Sequence, residues 1–175
     1  LAAAIDTGDR AAVARMLDSL EQNYAQAATI ETSNDLAVAY IFLGNYEKAI
    51  RILLALEKAH PGTSRAASNL GTALELSGKN TQALQWIKKG IARNPEDHAG
   101  TEWLHVKILE AKIALAKDPR WLQKRRVLSM SFGEEERPTL LQPLPKGKHG
   151  HAYSLAEIEA AIDYQMKERL KFVSP

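Results

Sequence analysis

The sequence predicts an all-α chain: a short stack of helical hairpins closed by one helix at its C-terminal end. Three observations point there. Shifted against itself by 34 residues, the 175-residue chain lays like on like in one ordered register. Gly and Pro interrupt the apolar helical pattern at regular places, and no strand pattern stands between them. Near the end, Ser154-Leu155-Ala156-Glu157 reads as a capping box that opens an amphipathic stretch.

The register pairs Leu36 with Leu70, Ala37 with Gly71, Gly44 with Gly78, Ala49 with Ala83, Ile50 with Leu84 and Pro61 with Pro95. Leu70 then falls on Leu104. Within a unit, Leu36, Ala39, Tyr40 and Leu43 keep helical spacing until Gly44-Asn45 breaks it. A second helix carries Ala49, Ile50, Leu53 and Leu56 and stops at His60-Pro61-Gly62, where the backbone cannot continue a helix. The small residues at Ala37/Gly71 and Ala49/Ala83 sit where two helices of a hairpin cross, since a larger side chain there forces the axes apart.

These residues resemble the tetratricopeptide repeat (TPR). The pattern is Leu36-Ala37, Tyr40, Gly44, Ala49 and Pro61, then Leu70-Gly71, Leu74, Gly78, Ala83 and Pro95. Ala37 stands in place of the usual Gly, and Gly90 in place of the usual Ala; both are small. The resemblance implies a short right-handed TPR-like solenoid with a C-terminal capping helix. Its array covers residues 1–129, with full repeats at about 30–63 and 64–97 and partial repeats at 1–29 and 98–129. Residues 130–175 are then a Pro/Gly-rich loop and the capping helix. Stretches at 100–116 and 163–173 are also similar to a group of uncharacterised bacterial TPR proteins.

Both ends of the array depart from the full repeat. Gly8, Val13, Leu17 and Leu20 reproduce the spacing of Gly44, Ala49, Leu53 and Leu56, so residues 9–22 read as a second helix whose first helix survives as Leu1 to Asp6. Residues 98–116 read as a third first-helix running on to Lys117, after which Asp118-Pro119 starts a short helix at about 121–128. In the last helix Leu155, Ile158, Ala161, Ile162, Gln165, Met166 and Leu170 form one stripe. The Leu155/Ile158/Ile162/Met166 face is expected to pack on the array end at residues 98–116. The alternatives are a seat in the concave groove or on a second copy, which makes a homo-oligomer through this helix a further expectation.

Composition narrows the function classes. Apolar residues make up 45% and charged residues 25%, with a formal charge of +2, which gives no global drive toward nucleic acid or anionic lipid. There is no Cys, hence no disulfide, thiolate nucleophile or Cys-bound zinc. The Ala-rich start without Met fits a chain trimmed after a signal peptide, so a periplasmic location is expected, with a cytoplasmic one as the alternative.

No catalytic constellation stands out. His60 and His98 read as surface residues, His105 as structural or exposed, and His149-Gly150-His151 as too sparse for a metal site. Gly78-Lys79-Asn80-Thr81 lacks the upstream Gly and strand of a phosphate loop and falls on a hairpin turn. Glu134-Glu135-Glu136 reads as a solvated run. Between residues 117 and 126, Lys117, Arg120, Lys124, Arg125 and Arg126 surround Trp121, but in a nearly neutral chain this reads as a local anchor, and nucleic acid is not an expected partner. No enzyme activity, metal or cofactor is expected.

What the resemblance implies instead is a concave face lined by the first helices. Its positions are Glu31, Asn34, Val38, Ile41 and Phe42; then Arg65, Ser68, Thr72, Glu75 and Leu76; then Ala99, Glu102, Val106, Leu109 and Glu110. Asn69 and Trp103 lie one step aside. Such a mixture of apolar and polar groups suits a protein or peptide segment. The clamp by which chaperone-binding TPR domains hold a terminal carboxylate is missing, because Ala99 and Trp103 occupy the places of its third-repeat Lys and Arg. The expected function is a non-catalytic interaction or scaffold module; the alternative is a regulatory or assembly domain of a larger enzyme or envelope complex.

Overall fold

A computed structural model describes residues 1–130, 144–145 and 152–172, and every regular element among them is helical. In chain order these are α1 (Ala2–Asp6), α2 (Arg10–Gln26), α3 (Ile30–Phe42), α4 (Tyr46–Ala59), α5 (Ser64–Leu76), α6 (Asn80–Arg93), α7 (Glu102–Lys117), α8 (Trp121–Lys124) and α9 (Leu155–Phe172). Consecutive helices from α1 to α7 pack on one another, so the first helices α1, α3, α5 and α7 stand side by side along the stack.

The hairpin turns are chemically the same device three times. Gly44 and Gly78 hold φ of +83° and +82°, a left-handed conformation that strains any residue with a Cβ. The amide after each donates back into the helix it has just left: Asn45 to the Tyr40 carbonyl and Lys79 to the Leu74 carbonyl, both at 2.8 Å. Asp9, after Gly8, does the same to the Ala4 carbonyl. Helix starts are fixed as locally: Asp9 accepts from the Ala12 amide, and Thr29 exchanges hydrogen bonds with Thr32 in a capping box.

Small residues at the crossings do what the sequence requires of them. Ala37, Ala49 and Ala83 are wholly buried. A Cβ added to Gly71 would lie 2.5 Å from Cδ1 of Ile87, and one added to Gly90 would lie 2.6 Å from Oγ of Ser68. The main core runs through these crossings, from Leu36, Tyr40 and Leu53 to Leu70, Leu74, Ile87 and Leu109. A smaller cluster of Ile5, Val13, Ala39 and Phe42 closes the α1 end. Between the two full repeats, Arg93 grips Glu57 with two hydrogen bonds of 2.8 and 2.5 Å and reaches the Thr63 carbonyl at 3.2 Å.

Two boundaries differ from the sequence expectation. The third first-helix starts at Glu102 rather than 98, because His98 and Ala99 take φ of 54° and 56° in a 3-10 turn over Asp97–Gly100. Asn94 helps form that turn: its side chain bonds Asp97 and accepts from the Glu96 amide. The helix expected at about 121–128 is four residues long, Trp121–Lys124. Asp118 spends its side-chain oxygen on the Arg120 amide and its carbonyl on the Trp121 amide, which makes a turn rather than an extended capped helix. Most of the Pro/Gly-rich stretch, including Glu134, Glu135, Glu136, His149 and His151, lies outside the described residues.

Candidate partner-binding face

The C-terminal helix returns to the array, and its opening capping box is present: Ser154 and Glu157 bond each other through backbone and side chain. Its seat differs from the expected one. It touches α7 but does not stop there; it also packs on α3, and its side chains reach α5 and α1. Gln165 donates to Oγ1 of Thr101 at 3.0 Å, just before α7. Arg169 reaches Glu75 on α5. Phe172 meets Phe42 of α3 edge to face, at 6.1 Å between centroids, and Lys171 reaches Asp6 of α1 at 2.8 Å. The helix therefore crosses the first-helix face, the groove seat that the sequence leaves as an alternative.

The face it presents is also turned. Ile158 and Ala161 are buried, but Leu155, Ile162, Met166 and Leu170 are 53, 40, 40 and 66% exposed. The expected Leu155/Ile158/Ile162/Met166 face is thus split, with only Ile158 inside. The reason is chemical. The middle of the seat holds Glu75, Thr101 and Glu102, all buried, and α9 meets it with the side that carries Gln165 and Arg169.

Glu75 is the centre of this seat. Its carboxylate accepts from Nε2 of His105 at 2.6 Å, Nζ of Lys112 at 2.7 Å, and two nitrogens of Arg169 at 2.8 and 3.3 Å. Burial works against its charge, but the hydrogen bonds from His105 and Arg169 outweigh it and hold the carboxyl far below its usual range. His105 carries a carboxylate on each side, Glu75 at Nε2 and Glu102 at 3.3 Å from Nδ1. Burial disfavours its imidazolium; Glu102 and Glu75 more than compensate, so its pKa lies above the ordinary value. Nε2 of His98 stands 3.7 Å from the other Glu102 oxygen. The result is a mixed-charge chain threading α5, α7 and α9.

The expected face residues divide into groups. Phe42, Glu75 and Glu102 are buried where α9 lies, and Val38 packs in the same cluster as Phe42 and Phe172. Asn34 and Asn69 bond each other at 2.8 Å across α3 and α5, while Glu31 and Arg65 are exposed at the starts of those helices. Thr72 is half-buried and donates to the Ser68 carbonyl. Ile41 and Leu109, at 2 and 0% exposure, belong to the core, because the helix turn there points between neighbouring hairpins. Leu76 and Val106 are half-buried at its margin. Ser68 is buried under Gly90 and unavailable, and Ala99 is exposed in the 3-10 turn outside any first helix. Glu110 faces the lysines Lys88 and Lys107 instead.

Arg169, Lys112 and Phe172 were not legible as site residues. The one available signal is the spacing of Ile158, Ala161, Gln165, Arg169 and Phe172, a helical stripe whose polar members mask it. Trp103 stacks on Tyr153 at 4.6 Å, pinning the approach to α9. Beside it, a cleft of about 480 Å³ is lined by Lys88, Trp103, Val106, Lys107, Leu128 and Pro145 among others. Among the described residues no group of three His, Cys, Asp or Glu is arranged to hold a metal ion, and no helix is long and apolar enough to cross a membrane.

Comparison with known proteins agrees with the hairpin geometry. Residues 34–98 match the family model described as tetratricopeptide repeat, the stretch that forms α3 to α6. No curated protein and no solved structure matches the chain. Tetratricopeptide repeats generally mediate protein–protein interaction and are typically non-catalytic. The matched stretch, residues 34–98, is thus of the tetratricopeptide-repeat type, and further helices stack on both sides of it.

Proposed function

We propose that this chain is a non-catalytic interaction module whose first-helix face receives a helical segment of a partner protein. The observation that carries the reading is α9 itself: the face already accommodates a helix across α7, α5, α3 and α1. The Glu75–His105–Glu102 chain resembles a catalytic constellation in composition only. Arg169 and Lys112 pair with the carboxylate, as its neighbours in a structural ion-pair network do. The rest of the face, with exposed Glu31 and Arg65 and half-buried Asn69 and Thr72, offers polar contacts for the rest of a partner.

The test is photo-crosslinking in the source cells from Glu31 and Arg65, with exposed Leu54 on α4 as the reference position. A defined partner captured from the first helices and not from Leu54 supports the reading. Equal capture at all three, or none, sinks it.

A second reading concerns the outer side of α9. Its exposed Leu155, Ile162, Met166 and Leu170 are flanked by Glu157, Glu159 and Asp163 in the N-terminal half and by Lys167 in the C-terminal half. Two copies laid antiparallel would match acid to base along that stripe. Light scattering on wild type and Ile162→Lys decides it: a dimer lost in the variant supports self-association, and a monomer throughout removes it.

A further inference from the structure

We infer that α9 is an exchangeable ligand of its own groove, and that the groove selects partner helices bearing a guanidinium and, three residues on, an aromatic ring, to meet Glu75 and Phe42. The inference rests on the reading of the first-helix face as a partner site and names the chemistry of that partner.

The seat of α9 combines apolar packing with directional polar contacts. Beside buried Ile158, Ala161 and the Phe172–Phe42 contact, the helix is held by polar, directional bonds: Gln165 on Thr101, Arg169 on Glu75, Lys171 on Asp6. Its apolar side chains Leu155, Ile162, Met166 and Leu170 stay exposed. An ordinary packed helix buries the whole of its apolar stripe. Contacts of this kind can be replaced one for one by another helix with the same groups at the same spacing.

The groove is complete without α9 in one respect that matters. Glu75 keeps His105 and Lys112 as partners, both supplied by α7, so the site does not collapse onto an orphan carboxylate when the helix leaves. Glu75 has two oxygens and takes the fork of Arg169 with both. The fit is not closed, however: Nε of Arg169 is buried with no hydrogen-bond partner. A partner helix that satisfies that donor gains over α9.

The partner so described carries a side-chain amide, then Arg four residues on, then an aromatic three residues further, as Gln165, Arg169 and Phe172 do. Lys in place of Arg should serve poorly, because it cannot span both Glu75 oxygens.

The experiment uses the full chain and a labelled synthetic peptide of residues 152–172. Binding is measured by fluorescence anisotropy to wild type and to an Arg169→Ala/Phe172→Ala chain whose own helix is weakened, its helicity checked by circular dichroism. At least a tenfold tighter peptide affinity for the weakened chain is expected, with at least tenfold lost again when the peptide carries Arg169→Lys. Equal affinity for both chains, or none for either, overturns exchange; indifference to Arg169→Lys overturns the guanidinium selection. Should the double variant lose its helicity, hydrogen exchange on wild type replaces it: excess unlabelled peptide must speed exchange of the chain's own α9 amides, and unchanged exchange overturns the inference. Crosslinked partners at Glu31 and Arg65 that ignore the peptide would leave the partner-face reading standing and remove only this one.

Discussion

Glu75 and Arg169 stand 94 residues apart in sequence and meet through two hydrogen bonds, at 2.8 and 3.3 Å, with the carboxylate side chain 3% exposed. This contact ties the last helix to the middle of the array. It also shows why the helix turns its polar side inward: a buried carboxylate needs partners more than an apolar wall needs another Leu.

Arg169→Ala should lower stability by about 1–3 kcal/mol, because Glu75 keeps His105 and Lys112. Glu75→Ala should cost more, about 3–5 kcal/mol, since it leaves His105, Lys112 and Arg169 facing one another with only Glu102 nearby. Urea unfolding of both and of the double variant measures it. Additive losses would mean that the two side chains are not coupled.

Stability should peak in mildly acid solution. Glu75 has a depressed pKa, so its contribution is full above its ordinary 4.5 and is lost as pH falls through its lowered value. His105 has a raised pKa, so its contribution is full below its ordinary 6.5 and is lost as pH rises through its raised value. Both are complete between 4.5 and 6.5. Glu102, His98, Lys112 and Arg169 face the same chain of charges. Urea midpoints across the range read the effect, and His105→Gln should flatten the alkaline side.

The two kinds of glycine should respond differently to substitution. Gly44→Ala meets open space and costs only its left-handed backbone, about 1–2 kcal/mol. Gly71→Val must displace Ile87 and shift α5 from α6, at about 3 kcal/mol or more. Thermal melts that rank them the other way would contradict the crossing geometry.

Two ion pairs linking second helices or their turns make a sharper contrast. Arg93→Lys breaks the two-pronged grip on Glu57 in a half-buried place and should cost about 1–2 kcal/mol. Lys79→Ala removes an exposed 2.7 Å pair with Glu47 and should cost less than about 0.5 kcal/mol. Guanidinium or urea midpoints separate them easily.

By itself the sequence determined the hairpins, because each rests on chemistry within one or two turns of chain. Gly44 and Gly78 reverse the backbone, Pro61 and Gly62 follow the end of α4, and Ala37, Gly71, Ala49 and Ala83 let axes approach. The 34-residue register then orders the hairpins along the stack. Which first-helix residues stay open, and which face of α9 turns inward, only the tertiary structure decided. Periodicity groups Leu155, Ile158, Ile162 and Met166 as one apolar stripe, and nothing local says that Glu75 waits across the groove. Local rules act within a helix, whereas the demand of a buried carboxylate for a guanidinium acts only once α5, α7 and α9 have been brought together.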